Sequence, residues 1–190
     1  MRYQPEHKTR TRDRIVRNAA RKLCAEGLSG PSVASLMKAS GLTVAFYKHF
    51  RSKDELLAEA IAHGFLEFGA KVYASVHNAP REDRWKEIVR WHLSPEHSNR
   101  PDMGWPIVTL AAEIARAKLG LRKRIASLMN QVTHRWAEFM PGTTPIERER
   151  NFFVIFCTMA GAVVTARLFT EPADRERVLA SARDYLLASF

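Results

Sequence analysis

SVASLMKASGLTVAFYKHFRSKDELL, residues 32–57, is the stretch that decides how this chain is expected to fold. Pro31, just before it, suits the first position of a helix. Apolar residues then follow at i, i+3 and i+4, which is the spacing of a short helix that buries one face: Val33, Leu36 and Met37. The pattern predicts a helix over about 31–39.

A tight turn and two further helix starts follow within the same stretch. Gly41 can take the left-handed conformation that ends a helix, and Thr43 can cap the next helix, predicted over 43–49, with its hydroxyl. Two helices joined this closely cross at a steep angle, which leaves the second free to enter a major groove. Ser52 and Glu55 then have the spacing of a capping box. The layout is typical of a helix–turn–helix, although an ordinary helical hairpin in a core has the same pattern.

The charge of the chain is concentrated on this part of the sequence. Residues 1–53 contain twelve Lys and Arg against three acidic residues, so they carry +9 of the chain's net +10. Neutralisation of DNA phosphates requires such a local excess of cations. A solvated helix face would normally mix both signs. The distribution therefore favours a nucleic-acid partner for the N-terminal segment.

Residues 12–57 resemble the N-terminal domain of the TetR family of one-component bacterial repressors. The matching features are Ile15, Ala19, Leu23 and Gly27, then Ser32-Val33, Ala39-Ser40-Gly41-Leu42-Thr43, Phe46-Tyr47-Lys48-His49-Phe50 and Ser52-Lys53-Asp54-Glu55-Leu56-Leu57. Weaker similarities to one large branch of the family lie at 104–106, 111–113 and 159–162. In that branch three residues usually separate the threonine from the aromatic-Tyr pair, whereas here Val44 and Ala45 supply two.

The resemblance implies an all-α protein of about nine helices, with a helix–turn–helix DNA-binding domain at 1–51 and a ligand-binding and dimerisation domain at 52–190. The sequence patterns predict helices at about 11–26, 31–39, 43–49, 52–77, 81–93, 106–118, 121–139 and 145–169, and from 172 onward. Thr144, Pro145 and Glu147 form a second capping box. A loop is expected at 94–102 and a break at Gly120.

Candidate DNA contacts follow from the resemblance and from side-chain chemistry. Ser32 and Thr43 can offer hydroxyls or backbone amides to phosphate, and Tyr47, His49 and Lys53 occupy positions that usually touch the DNA backbone in the resembled family. Base edges are expected to meet Val44, Ala45 and Lys48, the first two through a thymine methyl and the lysine through guanine. Arg10 and Arg12 are expected to reach phosphate or the minor groove from a flexible arm. A packed ring is the alternative for His49, and Phe46 and Phe50 are assigned to the core.

The last two helices are the candidate dimer interface. The helix from Pro145 is apolar around more than one face, so more than its own core should cover it. The predicted interface residues are Phe152, Phe156, Ala160, Val163, Val164, Val178, Ala182, Tyr185 and Leu186. In the resembled family these helices pair with their symmetry mates in a four-helix bundle, and a two-fold dimer matches a palindromic operator. A monomer core is the alternative.

Aromatic and apolar residues of the second domain are the candidate ligand pocket. They are Trp85, Trp91, His92, Met103, Trp105, Trp136, Phe139, Phe153 and Cys157. Few charges accompany them, which favours a hydrophobic or aromatic small-molecule effector. Each of these residues could instead belong to the core. Trp105 stands where the resembled branch often has cysteine, so thiol chemistry is excluded at that position.

Other classes of function find little support in the sequence. The segment that holds His92, Glu96 and His97 lacks the regular spacing of a metal site such as HExxH, so no metal is expected. No phosphate loop, nucleophile elbow or CxxC pair is present, and we expect neither an enzyme nor a bound cofactor. Cys24 and Cys157 are expected to be buried and unpaired. No signal peptide or membrane span is recognised, so a cytoplasmic location is expected.

The sequence thus predicts a homodimeric repressor that binds a palindromic double-stranded DNA operator and is released by a small molecule in its second domain. The alternative is a basic helical protein that binds nucleic acid without sequence preference.

Overall fold

The structure, a computed structural model, describes residues 5–41, 46–100 and 104–190. Within these residues the chain forms nine α-helices and no strand, which confirms the predicted all-α class. The helices are α1 (Pro5–Glu26), α2 (Val33–Ala39), α3 (Lys53–Val76), α4 (Arg84–His92), α5 (Pro95–Ser98), α6 (Pro106–Arg116), α7 (Leu119–Ala137), α8 (Pro145–Ala166) and α9 (Pro172–Ser189). Two 3-10 turns, Phe46–Lys48 and Arg81–Asp83, complete the described elements.

Hydroxyl caps and prolines set several of the helix starts. The side chains of Ser32, Ser52 and Thr144 each accept a hydrogen bond from the backbone N–H three residues on, which satisfies one free donor of the first turn. The predicted capping box at Thr144 and Glu147 is complete. At Ser52 the reciprocal bond differs, because Glu55 accepts from the amide of Arg51, at 2.6 Å, rather than from that of Ser52.

Several predicted boundaries were wrong. α1 begins at Pro5, not Thr11, and α2 begins at Val33 because Ser32, not Pro31, is at its start. The expected loop at 94–102 contains the single turn of α5, which Ser94 caps and Pro95 opens. Gly120 does not break a helix. It is the second residue of α7, in a first turn whose N–H groups have no helical partner in any case.

α1, α2 and the 3-10 turn Phe46–Lys48 form a small unit that we call the head (residues 5–41 and 46–52), which packs on the first turns of α3. α1 packs against α2 and α3, and the core of the head contains the side chains of Ile15, Leu23, Leu36, Phe46 and Phe50. Phe46 and Phe50 are buried, as expected. The head is thus held directly on the helix that continues into the rest of the protein.

The remaining helices form the body (residues 53–190) around α3 and α8. α3 packs against α4, α6 and α7, and α8 packs against α6, α7 and α9. By length and composition α8 could cross a membrane, and it is the only such helix among the described residues. However, 44% of that apolar window is buried inside the protein. Its central place in the bundle therefore accounts for part of its apolar character, and the rest lies on an exposed side of the helix.

Candidate DNA-binding head and ligand cavity

The 3-10 turn Phe46–Lys48 presents two side chains to solvent. Phe46 packs inward on Phe50, with ring centroids 5.6 Å apart, and so anchors the turn. Tyr47 is 84% exposed and Lys48 is also exposed. The exposed phenol of Tyr47 and the ammonium group of Lys48, on a turn that Phe46 anchors, can reach a nucleic-acid backbone or groove.

The predicted recognition helix is shorter than expected over its described part. A helix over 43–49 was expected, but 46–48 form a 3-10 turn and His49 lies in a turn. Both His49 and Phe50 donate their backbone N–H to the carbonyl of Phe46, at 2.9 and 3.0 Å, which ends the element. Three of the predicted DNA contacts, Thr43, Val44 and Ala45, lie outside the described residues.

Arg12 is a structural residue of the head, not an arm that reaches DNA. It lies inside α1, and its guanidinium donates to Glu59 Oε1 at 2.6 Å and to the carbonyl of His49 at 3.3 Å. It also lies 4.6 Å from the centroid of the Phe50 ring and forms an ion pair with Glu55. The hydrogen bond to Glu59 is the main reason why its pKa is raised. The expectation of a flexible arm was wrong because α1 already begins at Pro5.

Arg10 is exposed on the same helix and belongs to a basic stripe. The four arginines recur at i, i+4, i+7 and i+11, so they share one face of α1: Arg10, Arg14, Arg17 and Arg21. All four are exposed. Arg21 also lies 3.9 Å from a carboxylate oxygen of Glu67 on α3. The stripe places part of the predicted positive charge on a single surface.

His49 is partly inside the head. Its side chain is half-buried, and Nδ1 is buried without a hydrogen-bond partner. Burial, together with the nearby cations Lys8, Arg12 and Lys48, lowers the pKa of His49. The ring is therefore neutral at pH 7 and offers phosphate a hydrogen bond at most from Nε2, without a positive charge.

Ser32 caps the start of α2 in the head, and Lys53 begins α3 directly after the head. The Ser32 hydroxyl accepts from the amide of Ser35 at 3.1 Å, which leaves its own O–H free to donate. Lys53 is the half-buried first residue of α3. Both side chains are placed where a phosphate could be bound.

The body contains a narrow, partly open cavity of ≈ 40 Å³, which is room for about three water molecules at roughly 10–15 Å³ each. α3, α4, α7 and α8 and the Trp105 side chain surround it. The lining residues are Phe65, Phe68, Gly69, Val72, Ile88, His92, Trp105, Val132, Trp136, Met140, Phe152, Ile155, Phe156 and Met159. Of the predicted pocket residues, His92, Trp105 and Trp136 are among them, and Met103 lies outside the described residues.

Five predicted pocket residues lie elsewhere. Trp85 is buried against Phe190, and Trp91 packs on Phe68 and His97 outside the cavity lining. Phe139 lines an open outer groove between α3 and α7. Phe153 and Cys157 are exposed on the outer side of α8, so the expectation that Cys157 is buried was also wrong.

Most of the cavity lining was missed from the sequence. The α3 residues Phe65, Phe68 and Val72 were predicted only to lie on the helix at 52–77, and Phe152 and Phe156 were assigned to the dimer interface. The spacing of 65, 68, 69 and 72 puts these α3 residues on one face, which was the available signal. Which of several apolar faces lines a cavity depends on packing that periodicity does not encode.

Two cavity-lining side chains carry a buried polar atom that has no hydrogen-bond partner. These atoms are Nε1 of Trp105 and Nε2 of His92. His92 is 1% exposed, and burial, with His97 and Arg167 nearby, lowers its pKa well below the ordinary value, so its ring is neutral. Buried polar atoms normally find a partner, since leaving one unpaired costs about 1–3 kcal/mol.

The predicted dimer residues divide into an inner and an outer group. Phe152, Phe156, Val163 and Leu186 are buried within the protomer and cannot meet a partner chain, so their assignment was wrong. α8 is apolar on two sides, and periodicity alone did not say which side faces inward. Val164 and Tyr185 are exposed. Ala160, Val178 and Ala182 are half-buried, the last two in an open groove between α8 and α9.

We call the exposed side of these helices the outer face. It carries the large apolar residues Phe153, Val154, Val164, Leu168 and Tyr185. Gly161 also lies on it, and no atom lies within 4 Å of the position that its Cβ would take. A second helix could therefore approach closely at this point.

A carboxylate joins the body to the head. Glu113 of α6 accepts hydrogen bonds from the backbone N–H of Leu28, at 2.9 Å, and of Ser29, at 3.3 Å, in the turn between α1 and α2. Gly27 opens that turn at φ +81°, and a Cβ there would lie 2.7 Å from Glu113 Oε2. Nothing local in the sequence indicates this role of Glu113, because its two partners lie 84 and 85 residues away.

No group of three or more metal-ligating side chains that could hold an ion occurs among residues 5–41, 46–100 and 104–190. His92 and His97 do come together, with ring centroids 4.6 Å apart. They pack among aromatic rings rather than beside carboxylates.

No protein-family model matches the sequence, and no curated protein is significantly similar to it. Solved structures, in contrast, match almost the whole chain. A TetR transcriptional regulator from Chloroflexus aurantiacus has a TM-score of 0.77 at 21% identity, and a TetR-family regulator from Cytophaga hutchinsonii has 0.77 at 19%, each over 96% of both chains. A third, from Agrobacterium tumefaciens, has 0.72 at 15% over 94% of this chain and 98% of that one.

The chain therefore has the fold of the TetR-family transcriptional regulators, as the motif at 32–57 predicted. Proteins of different function share folds. The function of this chain therefore depends on its own head, cavity and outer face.

Proposed function

We propose that the protein is a TetR-family regulator that binds double-stranded DNA through its head. The observation that carries the proposal is the exposed pair Tyr47 and Lys48 on a turn that Phe46 anchors. Lys8 lies close enough to His49 to lower its pKa, so the start of α1 adds a cation beside the turn. A small, basic and rigid surface of this kind suits the DNA backbone and groove. The protein acts in the cytoplasm, without enzymatic activity or a cofactor.

The functional unit is a homodimer formed through the outer face. An exposed apolar patch of this kind is typical of an interface that a partner buries, and Gly161 leaves room for a helix of the partner. A two-fold dimer presents two heads and so reads a palindrome with half-sites on one side of the duplex. Binding at such a site represses the adjacent gene.

A small hydrophobic or aromatic molecule releases the repressor by entering the body. The cavity lies against α3, which also supports the head, so a ligand that moves α3 changes the separation of the two heads. A coupling free energy of about 1–3 kcal/mol is enough to weaken DNA binding 5- to 150-fold.

Selection of bound sequences from a random DNA pool tests the proposal. We expect a single palindrome whose half-sites lie about one helical turn apart. The alternative function, nucleic-acid binding without sequence preference, predicts no enrichment. Competition at fixed salt separates the two, because equal affinity for the selected site and for random DNA would contradict a specific operator.

The dimer is tested by measuring the mass in solution. Val164→Glu puts a charge at the centre of the outer face and should give a monomer. Leu119→Glu is the matched control, because Leu119 is an exposed apolar residue on α7, away from that face. An unchanged dimer mass in Val164→Glu would place the interface elsewhere.

A further inference from the structure

The chemistry of the narrow cavity in the body limits what can bind in it. None of its lining side chains is Lys, Arg, Asp or Glu. An ion that entered would lose its hydration without meeting an opposite charge among the lining side chains, which is unfavourable. His92 does not supply that charge, because its pKa is lowered well below the ordinary value and its ring is neutral. The lining therefore favours an uncharged ligand.

The unpaired indole N–H of Trp105 favours a ligand with an acceptor that can reach it. Trp105 is 6% exposed, lines the cavity, and its Nε1 has no partner. An indole nitrogen can only donate a hydrogen bond, so its partner must be an acceptor. His92 Nε2, which is also buried and unpaired, offers a second polar atom in the same lining.

The walls of the cavity suit an aromatic ring. Phe68 stacks on Trp105 with ring centroids 5.0 Å apart, and Phe156 meets Trp105 edge-on at 4.3 Å. Aromatic pairs prefer these stacked and edge-to-face arrangements. The cavity is narrow, but Met140 and Met159 line it, and unbranched methionine side chains repack readily around a guest.

We propose that the cavity binds an uncharged, single-ring aromatic compound whose carbonyl or similar oxygen accepts a hydrogen bond from Nε1 of Trp105. This inference rests on the proposed function, because it names the chemistry of the effector of that regulator. Aromatic contacts supply the binding energy, and the indole N–H selects compounds that carry an acceptor.

The test uses acetophenone and ethylbenzene, which have nearly the same shape and differ in the acceptor. Trp105→Phe removes the N–H and keeps a ring, and binding to the full-length protein is measured by calorimetry. We expect Trp105→Phe to weaken acetophenone about fivefold to tenfold and to change ethylbenzene by less than about twofold. Ethylbenzene thus corrects for the volume lost with the indole.

Trp136→Phe is the matched variant, because Trp136 lines the same cavity and its Nε1 is not a buried unpaired atom. It should affect both compounds equally. Benzoate and benzylamine, which are charged, should not displace acetophenone. Equal effects of Trp105→Phe on both compounds, displacement by benzoate, or no binding of acetophenone at its solubility limit would each overturn the proposal.

These outcomes are separate from those of the DNA selection. A palindrome found in the pool together with the wrong ligand preferences would leave the regulator intact and refute the ligand chemistry. The expected ligand preferences without a palindrome would do the reverse.

Discussion

Glu113 offers the most direct test of how the body is coupled to the head. Its two carboxylate oxygens accept from the amides of Leu28 and Ser29. Glu113→Ala removes both acceptors. Hydrogen bonds to a charged group contribute about 1.5–3 kcal/mol when well formed. Here one amide is exposed and its bond is long at 3.3 Å, so water can replace much of that contribution. We expect a total loss of about 1–2 kcal/mol.

The measurement is the free energy of unfolding from chemical denaturation. Glu82→Ala, at an exposed position in the 3-10 turn before α4, is the control and should change stability by less than about 0.5 kcal/mol. Glu113→Gln keeps one acceptor oxygen and should fall between the two. Gly27→Ala approaches the same contact from the head, because its Cβ would displace the carboxylate and its positive φ strains the backbone.

The coupling between effector binding in the body and DNA binding by the head is measured as the DNA affinity with and without a bound effector. If Glu113 carries the movement of the body to the head, Glu113→Ala binds DNA but responds less to the effector. A loss of stability equal to that of Glu82→Ala, together with an unchanged response, would refute the reasoning.

Three further predictions concern the helix α3, the buried histidines and the DNA surface. Gly69→Ala should stabilise the protein by about 0.5–1 kcal/mol in thermal unfolding, because its Cβ meets Trp136 at an ordinary 3.6 Å; Gly64→Ala should destabilise it, because its Cβ would lie 2.6 Å from Pro106 Cγ. Burial lowers the pKa of His97 to about 4, so the unfolded state binds the proton first. His97 should therefore contribute a fall in stability of up to about 1.4 kcal/mol per pH unit between about pH 6.5 and pH 4. His92, whose pKa is also lowered by burial, adds its own contribution. His97→Phe should therefore reduce the slope in denaturation series without abolishing it, and an unchanged slope would contradict the role of His97. Lys53→Ala should weaken binding to all DNA sequences and lower the slope of log binding constant against log salt concentration by about one. Lys48→Ala should instead change the preferred sequence in the pool selection. The opposite pattern would mean that Lys48 contacts the phosphate backbone and Lys53 the bases.

The sequence predicted the fold well, since caps and periodicity act locally. Thr144 and Glu147 form their capping box, and the head is recognisable from residues 32–57 alone. The sites were harder to predict. The sequence alone suggests that the Arg12 guanidinium is available to bind DNA. Only the structure shows that it donates a hydrogen bond to Glu59 of α3 and so has a structural role.

The same limit explains the errors in α8. This helix is apolar on two sides, so Phe152 and Val164 look equivalent in the sequence. Packing against α6, α7 and α9 buries the first and leaves the second exposed. Such a choice depends on contacts between residues far apart in sequence, which no single-segment pattern contains.

The length of α3 has a mechanical consequence. Phe68, at the cavity, is fifteen residues from Lys53, at the head, and this is about 22 Å along a helix that rises 1.5 Å per residue. A tilt of about 5° at the cavity would then move the head end by about 2 Å. Hydrogen bonds to DNA tolerate a few tenths of an ångström. In the proposed dimer, a ligand that displaces a single aromatic ring of the cavity would therefore need only a small local movement to take both heads out of register with a palindromic site.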